Sequence, residues 1–313
     1  MATTLLTALL AALLLAPVAT AQTAGTNSFP GTPGAIAFVS NRDDFSANAI
    51  YRMNADGFGQ TRLTDLPGRN LQPAWSSDGA EITYVNAQDG DYEVYKMRAD
   101  GGSEVPLTVD SALDFAPAWG RGTKIVFSST RSHPSGDIFL MTLGAAGEPV
   151  EVKKLTTYTG QDGDPAVSPD GKRLAFSSYR DGDYDIYVMK LAPEGPNNRP
   201  IKITNSVKDE GGVEWSPDGR QLAFHGGTAN DFGEIFRIKA APESRDNRRV
   251  DLSKNPSTDY NPTWSPDGKK IAFQSQRTGN FEIFRIRATD GANPTNLTNN
   301  PSQDEQPSWQ PLP

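Results

Sequence analysis

Short apolar segments recur along the chain at a nearly constant spacing, and each one ends in an aromatic residue. They are Ile36-Ala37-Phe38, Ile82-Thr83-Tyr84, Ile125-Val126-Phe127, Leu174-Ala175-Phe176, Leu222-Ala223-Phe224 and Ile271-Ala272-Phe273. Successive aromatic residues of this set lie 43 to 49 residues apart. Apolar runs this short are typical of buried strands, and no stretch has helical periodicity of useful length. The regular spacing predicts six copies of one structural unit.

Each unit contains patterns for four strands, which we call A to D in chain order. Strand A carries a Pro-x-Trp segment such as Pro73-Ala74-Trp75, and strand B is the apolar run. In four units a Ser-x-Asp-Gly turn joins A to B, because Asp tolerates turn geometry and Gly supplies positive φ. Strand C carries Ile or Val followed by Tyr or Phe, and strand D ends in Leu-Thr or a close variant. The recurring Trp and aromatic positions predict a core between the units.

These units predict an all-β fold, a six-bladed β-propeller with four-stranded antiparallel blades. The first predicted strand, 35–40, is a strand B without a strand A before it. The last, 306–310, is a strand A without a strand B after it. We therefore expect the C-terminal strand to complete the first blade and close the ring, which removes an open sheet edge. The predicted boundaries are 1–21 for a signal peptide, 22–33 for a flexible linker and 34–313 for the propeller.

Composition narrows the class of protein. The 29 Gly and 24 Pro among 313 residues fit a fold with many turns, so the length needs no second domain. An apolar fraction of 36% and a mean hydropathy of −0.53 exclude an integral membrane protein beyond the first segment. The net charge of −8 disfavours nucleic acid as a partner. The absence of Cys excludes disulfides, thiolate catalysis and Cys-based zinc sites.

The first 21 residues read as a secretory signal peptide. Residues 2–21 carry no charge, and the apolar run 5–16 is too short to anchor the chain in a bilayer. Ala19-Thr20-Ala21 fits an A-x-A cleavage site before Gln22. A buried N-terminal helix is disfavoured because the segment has no polar face. We expect export, a periplasmic or secreted location, and no membrane span after cleavage.

The repeat resembles a known family. The order Pro-x-Trp-Ser-Pro-Asp-Gly, then β-Phe-x-Ser-x-Arg, then Glu/Asp-Ile-Tyr/Phe, then Leu-Thr is similar to the TolB-type, WD-like propeller repeat over about residues 34–310. Periplasmic TolB joins such a propeller to a preceding α/β domain and binds peptidoglycan-associated and colicin-type partners. Only residues 22–33 separate the predicted cleavage site from the first blade. The resemblance therefore implies a TolB-like propeller without that N-terminal domain.

The connections divide between two faces of a propeller. The tight A–B and C–D turns share one face, and the longer B–C and D–A loops share the other, which we call the loop face. Binding residues concentrate on variable loops over a rigid scaffold, so we expect a protein or peptide partner on the loop face. We expect the chain itself to be a monomer.

Acidic residues recur on the loop face three positions before the strand A proline position. They are Asp114, Asp162, Glu210, Asp259 and Asp304, with Asn70 in the remaining unit. A carboxylate ring at the mouth of the central channel could hold Ca²⁺ through oxygen ligands. Alternatively, each carboxylate caps its own loop or pairs with an Arg. We favour the second interpretation, because positions found in every repeat usually serve the repeat, and we predict no other cofactor.

Arginines recur in the B–C loops of the same face. They are Arg42, Arg131, Arg180 and Arg277, with Gln88 and Gly227 near the corresponding positions of the other two units. Together with Asp183 they could form a partner-binding face, since Arg binds anionic groups bidentately. Pairing with loop carboxylates, to brace neighbouring blades, is the favoured interpretation for the same repeat-wide reason.

The sequence contains few residues of the types that catalytic or metal sites need. His133 and His225 are the only histidines, 92 residues apart, which disfavours a transition-metal site. The chain has no Gly-x-Ser-x-Gly elbow for a hydrolase domain. Two hypotheses remain. We favour an exported binding scaffold over an enzyme, and the alternative is a carbohydrate-active or hydrolytic enzyme that uses carboxylates at the channel mouth.

Overall fold

A computed structural model of the chain describes residues 29, 31–44, 47–88, 90–227, 233–241 and 248–312. Every named element in these ranges is a β-strand, and the 24 strands form six four-stranded sheets. The predicted all-β, six-bladed propeller is therefore confirmed. In the same ranges no helix is long and apolar enough to cross a membrane. The predicted signal peptide, 1–21, lies outside the described residues.

Each blade is an antiparallel meander whose strands run from the channel outward. The first three blades consist of β24 (Asp304–Leu312), β1 (Thr32–Ser40), β2 (Ala49–Met53) and β3 (Thr61–Arg62); β4 (Arg69–Trp75), β5 (Glu81–Ala87), β6 (Glu93–Arg98) and β7 (Val105–Pro106); and β8 (Asp114–Trp119), β9 (Lys124–Ser129), β10 (Asp137–Leu143) and β11 (Pro149–Lys154). The last three consist of β12 (Asp162–Val167), β13 (Arg173–Ser178), β14 (Asp185–Lys190) and β15 (Ile201–Lys202); β16 (Glu210–Trp215), β17 (Gln221–Gly227), β18 (Gly233–Lys239) and β19 (Val250–Asp251); and β20 (Asp259–Trp264), β21 (Lys270–Ser275), β22 (Glu282–Arg287) and β23 (Thr295–Asn296).

The ring closes through the two ends of the described chain. Strand β24 pairs antiparallel with β1 in blade 1, and each innermost strand contacts the innermost strands of both neighbouring blades. The pairing begins with Thr32 opposite Leu312, so β1 starts two residues before the predicted boundary at 34. Phe29 is buried as well. The end of the predicted linker is therefore part of the packed structure, because residues 32 and 33 pair with β24 and Phe29 belongs to the apolar cluster of blades 2 and 3.

Aromatic side chains fill the spaces between blades. The aromatic residues that end the strand B runs are fully buried, and each contacts an aromatic residue of strand C in its own blade. All five Trp side chains are buried too. The indole of Trp215 reaches the preceding blade, where its Nε1 donates to the Ala166 carbonyl at 3.1 Å. The predicted inter-blade core is confirmed.

The Ser-x-Asp-Gly turns are held by their own side chains. In blade 2 the Ser76 hydroxyl donates to Asp78 Oδ1 at 2.6 Å, and Gly79 adopts a φ of 70°. The hydrogen bond from Ser76 lowers the pKa of Asp78. The same serine–aspartate bond recurs in the turns at 168–171, 216–219 and 265–268. These turns are therefore local structures that serve the repeat.

The Leu-Thr pattern has a second structural role. The Leu and Thr follow strand D rather than end it, and the hydroxyl accepts a hydrogen bond from a backbone N–H of strand C. In blade 3 the Ile138 N–H donates to Thr156 Oγ1 at 3.0 Å, and Leu155 N donates to the Ile138 carbonyl at 2.8 Å. Equivalent bonds to Thr64, Thr108, Thr204, Ser253 and Thr298 occur in the other blades.

Every innermost strand carries a β-bulge at one residue with positive φ. These residues are Gln306, Gln72, Ala116, Asp164, Gly212 and Asn261. Side chains at this position link neighbouring blades: Gln306 Oε1 accepts from Gln72 N at 2.8 Å, and Gln72 Oε1 accepts from Ala116 N at 2.8 Å. Because the backbone conformation recurs in all six blades, it belongs to the propeller and shapes the wall of the channel.

Candidate functional site

The recurring carboxylates occupy one structural position. Asp304, Asp114, Asp162, Glu210 and Asp259 are each the first residue of an innermost strand, and each is buried to at least 99%. Four of them lie directly opposite the serine that ends strand B of the same blade. They mark the loop-face end of the channel wall, as the sequence predicts.

The predicted arginines hold these carboxylates. In blade 3, Arg131 Nε donates to Ser129 Oγ at 2.8 Å, and Arg131 Nη2 donates to Asp114 Oδ2 at 2.7 Å. The same arrangement joins Arg42 to Asp304, Arg180 to Asp162 and Arg277 to Asp259. Pairing with loop carboxylates, the favoured interpretation, therefore describes the structure. The pairs lie within single blades, however, and do not brace neighbouring blades.

Each of these arginines also covers the aromatic pair beneath it. Arg131 Cζ lies 5.1 Å from the Phe127 ring centre and 5.2 Å from that of Phe139, within the range of a cation–π contact. The other three show similar contacts. The four arginine side chains keep 12 to 24% of their surface exposed. Their guanidinium N–H donors are largely used within the blade, so these arginines are poor candidates for binding a partner.

Blades 5 and 2 satisfy the buried polar group at the start of the innermost strand with other residues. In blade 5, Arg249 from the segment before β19 pairs with Glu210 at 2.5 Å and covers Phe236 at 4.3 Å. Gly226 stands opposite Glu210, where a Cβ would come 3.0 Å from Glu210 Cγ, so glycine makes room for the longer acid. Arg249 could not be predicted from the repeat, because it is far from the B–C loop in the chain. One sequence feature could have indicated such a cation: Glu210 is acidic in a unit whose B–C loop lacks the recurring arginine.

Blade 2 uses no charge at this position. Asn86 Nδ2 donates to Asn70 Oδ1 at 2.9 Å and to the Pro67 carbonyl at 3.0 Å. The amide pair satisfies the same buried location that a carboxylate and an arginine occupy elsewhere. A ring of cation ligands would have no reason for this substitution, whereas a structural bond can be replaced in this way.

Burial dominates the acid–base behaviour of the carboxylates. Desolvation raises the pKa of Asp114, Asp162 and Asp259, and it raises that of Glu210 to about 7, with Arg249 acting against it. Within the described ranges no group of three or more His, Asp or Glu side chains could hold a metal ion. The structure thus does not bring the five carboxylates together. The Ca²⁺ site stays a prediction that this geometry does not favour.

Asp183, the remaining residue of the predicted partner-binding face, lies in the loop between β13 and β14 and is half-buried. In the same loop Asp181 accepts a hydrogen bond from the Tyr187 hydroxyl at 2.5 Å and pairs with Lys202 at 3.2 Å. The loop therefore offers carboxylates to solvent on the expected face.

The residues that differ most among the blades lie one step further into the channel. Each innermost strand places one residue directly after the carboxylate position, opposite a strand B residue. These six pairs, which we call the mouth pairs, are Glu305/Val39, Leu71/Val85, Phe115/Ser128, Gly163/Ser177, Gly211/His225 and Tyr260/Gln274. They range from apolar in blade 2 to polar in blades 4 to 6, within a frame that is otherwise repeated.

Four mouth-pair residues of blades 4 to 6 form a polar cluster with the bulge residue Asp164, and we call this cluster the polar notch: Asp164, Ser177, Gly211, His225 and Tyr260. The His225 and Tyr260 rings meet edge to face with centres 4.8 Å apart. A Cβ on Gly211 would lie 3.2 Å from both His225 Nε2 and Asp164 Oδ2, so both groups converge on this glycine. Asp164 Oδ2 accepts from Ser177 Oγ at 3.2 Å and from Gly212 N at 3.4 Å.

The notch combines a neutral imidazole with a carboxylate. Burial lowers the pKa of His225 to about 3, so the ring is uncharged at neutral pH. Its Nδ1 has no hydrogen-bond partner among the described residues, although the atom is buried. His225, Tyr260 and Asp164 are all half-buried rather than sealed. By contrast, Leu71 and Phe115 in blades 2 and 3 are closed into the apolar core.

The chain is similar to known propeller proteins in its repeat and in its fold. The TolB beta propeller domain, PD40, matches residues 198–312. The fold is a six-bladed β-propeller, and its similarity to the TolB propeller repeat is found over that C-terminal part of the chain. The chain is 20% identical to the crystal structure of TolB from Acinetobacter baumannii, with a TM-score of 0.75 over 89% of this chain and 67% of that one. At this identity the likeness concerns the fold.

Two sequence relatives match shorter stretches of the propeller. The uncharacterized peptidase YuxL of Bacillus subtilis is 30% identical over 143 residues, which is 46% of this chain and 20% of YuxL. The Tol-Pal system protein TolB of Desulfosudis oleivorans is 41% identical over 64 residues, which is 19% of this chain and 14% of that protein. The matched stretches cover a fifth or less of the length of these curated relatives.

Proposed function

We propose that this TolB-like propeller is an exported protein- or peptide-binding scaffold of the bacterial periplasm or cell envelope, and that it binds its partner at the polar notch. The uncharged signal-like segment supports export. The TolB relatives support a binding role, although fold alone does not define function.

The observation that carries the proposal is the contrast between repeated and unrepeated positions. The carboxylates, arginines, serine–aspartate turns and Thr hydroxyls recur because each blade needs them. The mouth pairs lie beside these residues and share none of their regularity. Positions that vary within a regular scaffold are free to serve recognition, and the polar ones gather in neighbouring blades on the loop face.

The chemistry of the notch defines what it would recognise. The half-buried carboxylate of Asp164 is suited to accept hydrogen bonds, and the neutral ring of His225 and the ring of Tyr260 supply contact surface beside it. Half-buried Tyr residues beside polar groups are typical of binding hot spots. A peptide segment that presents backbone N–H or side-chain donors next to an apolar group fits this arrangement.

The test is capture of partners from envelope extract by the mature protein, followed by affinity measurement with the recovered partner. We expect Tyr260→Ala to weaken binding about thirtyfold, as for a typical hot spot. His225→Ala should weaken it as well. The matched control is Val207→Ser, which changes a residue that is 90% exposed in a D–A loop of the same face.

Two outcomes would contradict the proposal. One is capture of no partner that binds the purified protein. The other is binding that is unchanged in both notch variants while their thermal unfolding shows an intact fold. A cleaved N-terminus at Gln22, measured by mass spectrometry of the exported protein, tests the location separately.

The alternative is a hydrolytic or carbohydrate-active enzyme at the channel mouth. Its support is the peptidase relative, of which the matched stretch covers 20%. Its difficulty is that the channel-mouth carboxylates are buried and paired with arginine. Turnover of peptide, ester or glycan panels that is lost in Asp162→Asn, with unfolding unchanged, would favour this alternative over the scaffold.

A further inference from the structure

One outer strand differs from the other five. Strands β3, β7, β15, β19 and β23 each contain two residues, which leaves little edge for another chain. Strand β11 of blade 3 contains six, and it is the terminal strand of its sheet. Its sequence is Pro-Val-Glu-Val-Lys-Lys, and Val150 and Val152 are 61% and 40% exposed. A long exposed edge is a template for strand addition.

The register with β10 decides which backbone groups point outward. Leu155 N donates to the Ile138 carbonyl, so Leu155 stands opposite Ile138 with its N–H directed toward β10. Hydrogen-bonded and non-hydrogen-bonded pairs alternate along an antiparallel ladder. Lys154 and Val152, opposite Phe139 and Met141, therefore direct their N–H and C=O groups away from β10. These groups are available to a strand added outside β11.

The charges of β11 discriminate among the ways in which two copies of it can pair. With Val152 on a two-fold axis, Val152 faces Val152 of the partner subunit, and Glu151 faces Lys153 of the partner subunit. With the axis at position 151 the two glutamates would face each other, and with the axis at 153 the two lysines would. Only the first register makes two opposite-charge pairs.

We propose that β11 is a self-association edge, in contrast to the monomer expected from the sequence, which does not reveal the length of this edge. Two copies of the chain join by antiparallel pairing of β11 about a two-fold axis at Val152, which makes one continuous eight-stranded sheet from two third blades. The pairing uses the outward backbone groups of Val152 and Lys154, and it forms two Glu151–Lys153 pairs between subunits. A closed two-fold contact of this kind stops at the dimer. It is independent of the polar notch.

The test is sedimentation equilibrium of the mature protein over a concentration series. We expect a monomer–dimer equilibrium in the wild type. Glu151→Lys and Lys153→Glu, taken singly, place like charges opposite each other and should each raise the dimer dissociation constant about tenfold or more. The double exchange E151K/K153E restores opposite charges and should restore the dimer. All these positions are exposed, so the variants keep the fold.

The control is Asp65→Lys, which reverses a charge at a side chain that is 96% exposed elsewhere on the surface. It should leave the equilibrium unchanged. A wild type that stays monomeric at its highest soluble concentration would overturn the proposal. So would a dimer that is indifferent to both single exchanges, or a double exchange that fails to restore association. Hydrogen exchange at residues 150–154 should slow on dimerisation and serves as the local readout.

Discussion

Blades 2 and 3 occupy adjacent places in the ring and solve the same structural problem with different chemistry. Blade 3 buries Asp114 and covers it with Arg131, whereas blade 2 buries two asparagine side chains that bond to each other. Both arrangements satisfy the polar groups where an innermost strand begins. The comparison teaches that the carboxylate and its arginine are one of several ways to close the end of a blade. Their recurrence reflects the fold.

Blade 5 extends the comparison. Its cation comes from Arg249 at the outer strand, yet it still pairs with the innermost carboxylate and covers a strand C ring. The position of the charge is therefore preserved while its origin in the chain changes. This is expected when the requirement is electrostatic and local, because any cation that reaches a buried carboxylate lowers the cost of its desolvation.

The largest effect should follow from breaking the blade 3 pair on one side. Arg131→Ala leaves the buried carboxylate of Asp114 without its cation, and we expect the free energy of unfolding to fall by about 3–5 kcal/mol. Urea unfolding at pH 8 measures the change. The control Arg98→Ala removes a partner of Asp100 that is 61% exposed and should cost less than about 1 kcal/mol. Equal losses in both variants would contradict the structural role of the pair.

The contribution of Glu210 in blade 5 to the free energy of unfolding should depend on pH. The pKa of Glu210 is about 7 in the folded protein, above the ordinary value of 4.5, so the folded state binds its proton more tightly. Its stabilising contribution is complete below about pH 4.5 and is lost as the pH rises through 7. Relative to Glu210→Gln, the wild type should lose roughly 2–3 kcal/mol between pH 5 and pH 8. A difference between the two unfolding curves that does not change with pH would refute this assignment.

A smaller loss of stability is expected from removing the hydroxyl after strand D, which all six blades share. Thr156→Val removes the hydroxyl that accepts from the Ile138 N–H, leaving a buried donor without its partner. The expected cost is about 1–3 kcal/mol, measured as a lower free energy of unfolding. Thr156→Ser should cost much less, because Ser253 fills this role in blade 5. If the serine variant loses as much as the valine variant, the hydroxyl is not the cause.

The smallest effect should come from converting blade 3 into blade 2. The triple variant D114N/S129N/R131Q installs the amide side chains of blade 2 and removes both charges together. We expect a loss of about 1 kcal/mol or less, since a polar pair replaced as a whole leaves no buried charge unpaired. The comparison with Arg131→Ala is decisive: a triple variant as unstable as the single one would show that the charges themselves are required.

Much of the fold was predictable from local patterns. The Ser-x-Asp-Gly turns bond within five residues, and the B and C strands adjoin in sequence, so their signals survive in a linear reading. The pairing of Arg131 with Asp114 was predictable for the same reason, since 17 residues and one hairpin join them. Arg249 lies 39 residues from Glu210, outside the loop in which the repeat places its arginine, and was missed.

The polar notch was beyond the reach of a linear reading. Asp164, His225 and Tyr260 belong to three blades and meet only because the ring brings innermost strands side by side. No shared spacing relates these three residues. Their neighbours Gly211 and Gly212 have no side chains that could mark the site in the sequence. The unusual length of β11 was equally hidden, because a strand edge is a property of hydrogen-bond partners and not of composition.

The sequence by itself determined the number of blades, the turns between their strands and the closing of the ring by the C-terminal strand. The first two rest on interactions between near neighbours in the chain, repeated six times with the same residue types, and the third follows from the strand order, because the first predicted strand is a strand B and the last is a strand A. Only the tertiary structure decided that Arg249 meets Glu210, which mouth pairs stay polar and which blade offers an open edge. Those outcomes depend on groups that are distant in sequence, and their energies arise only when the ring excludes water from between the blades.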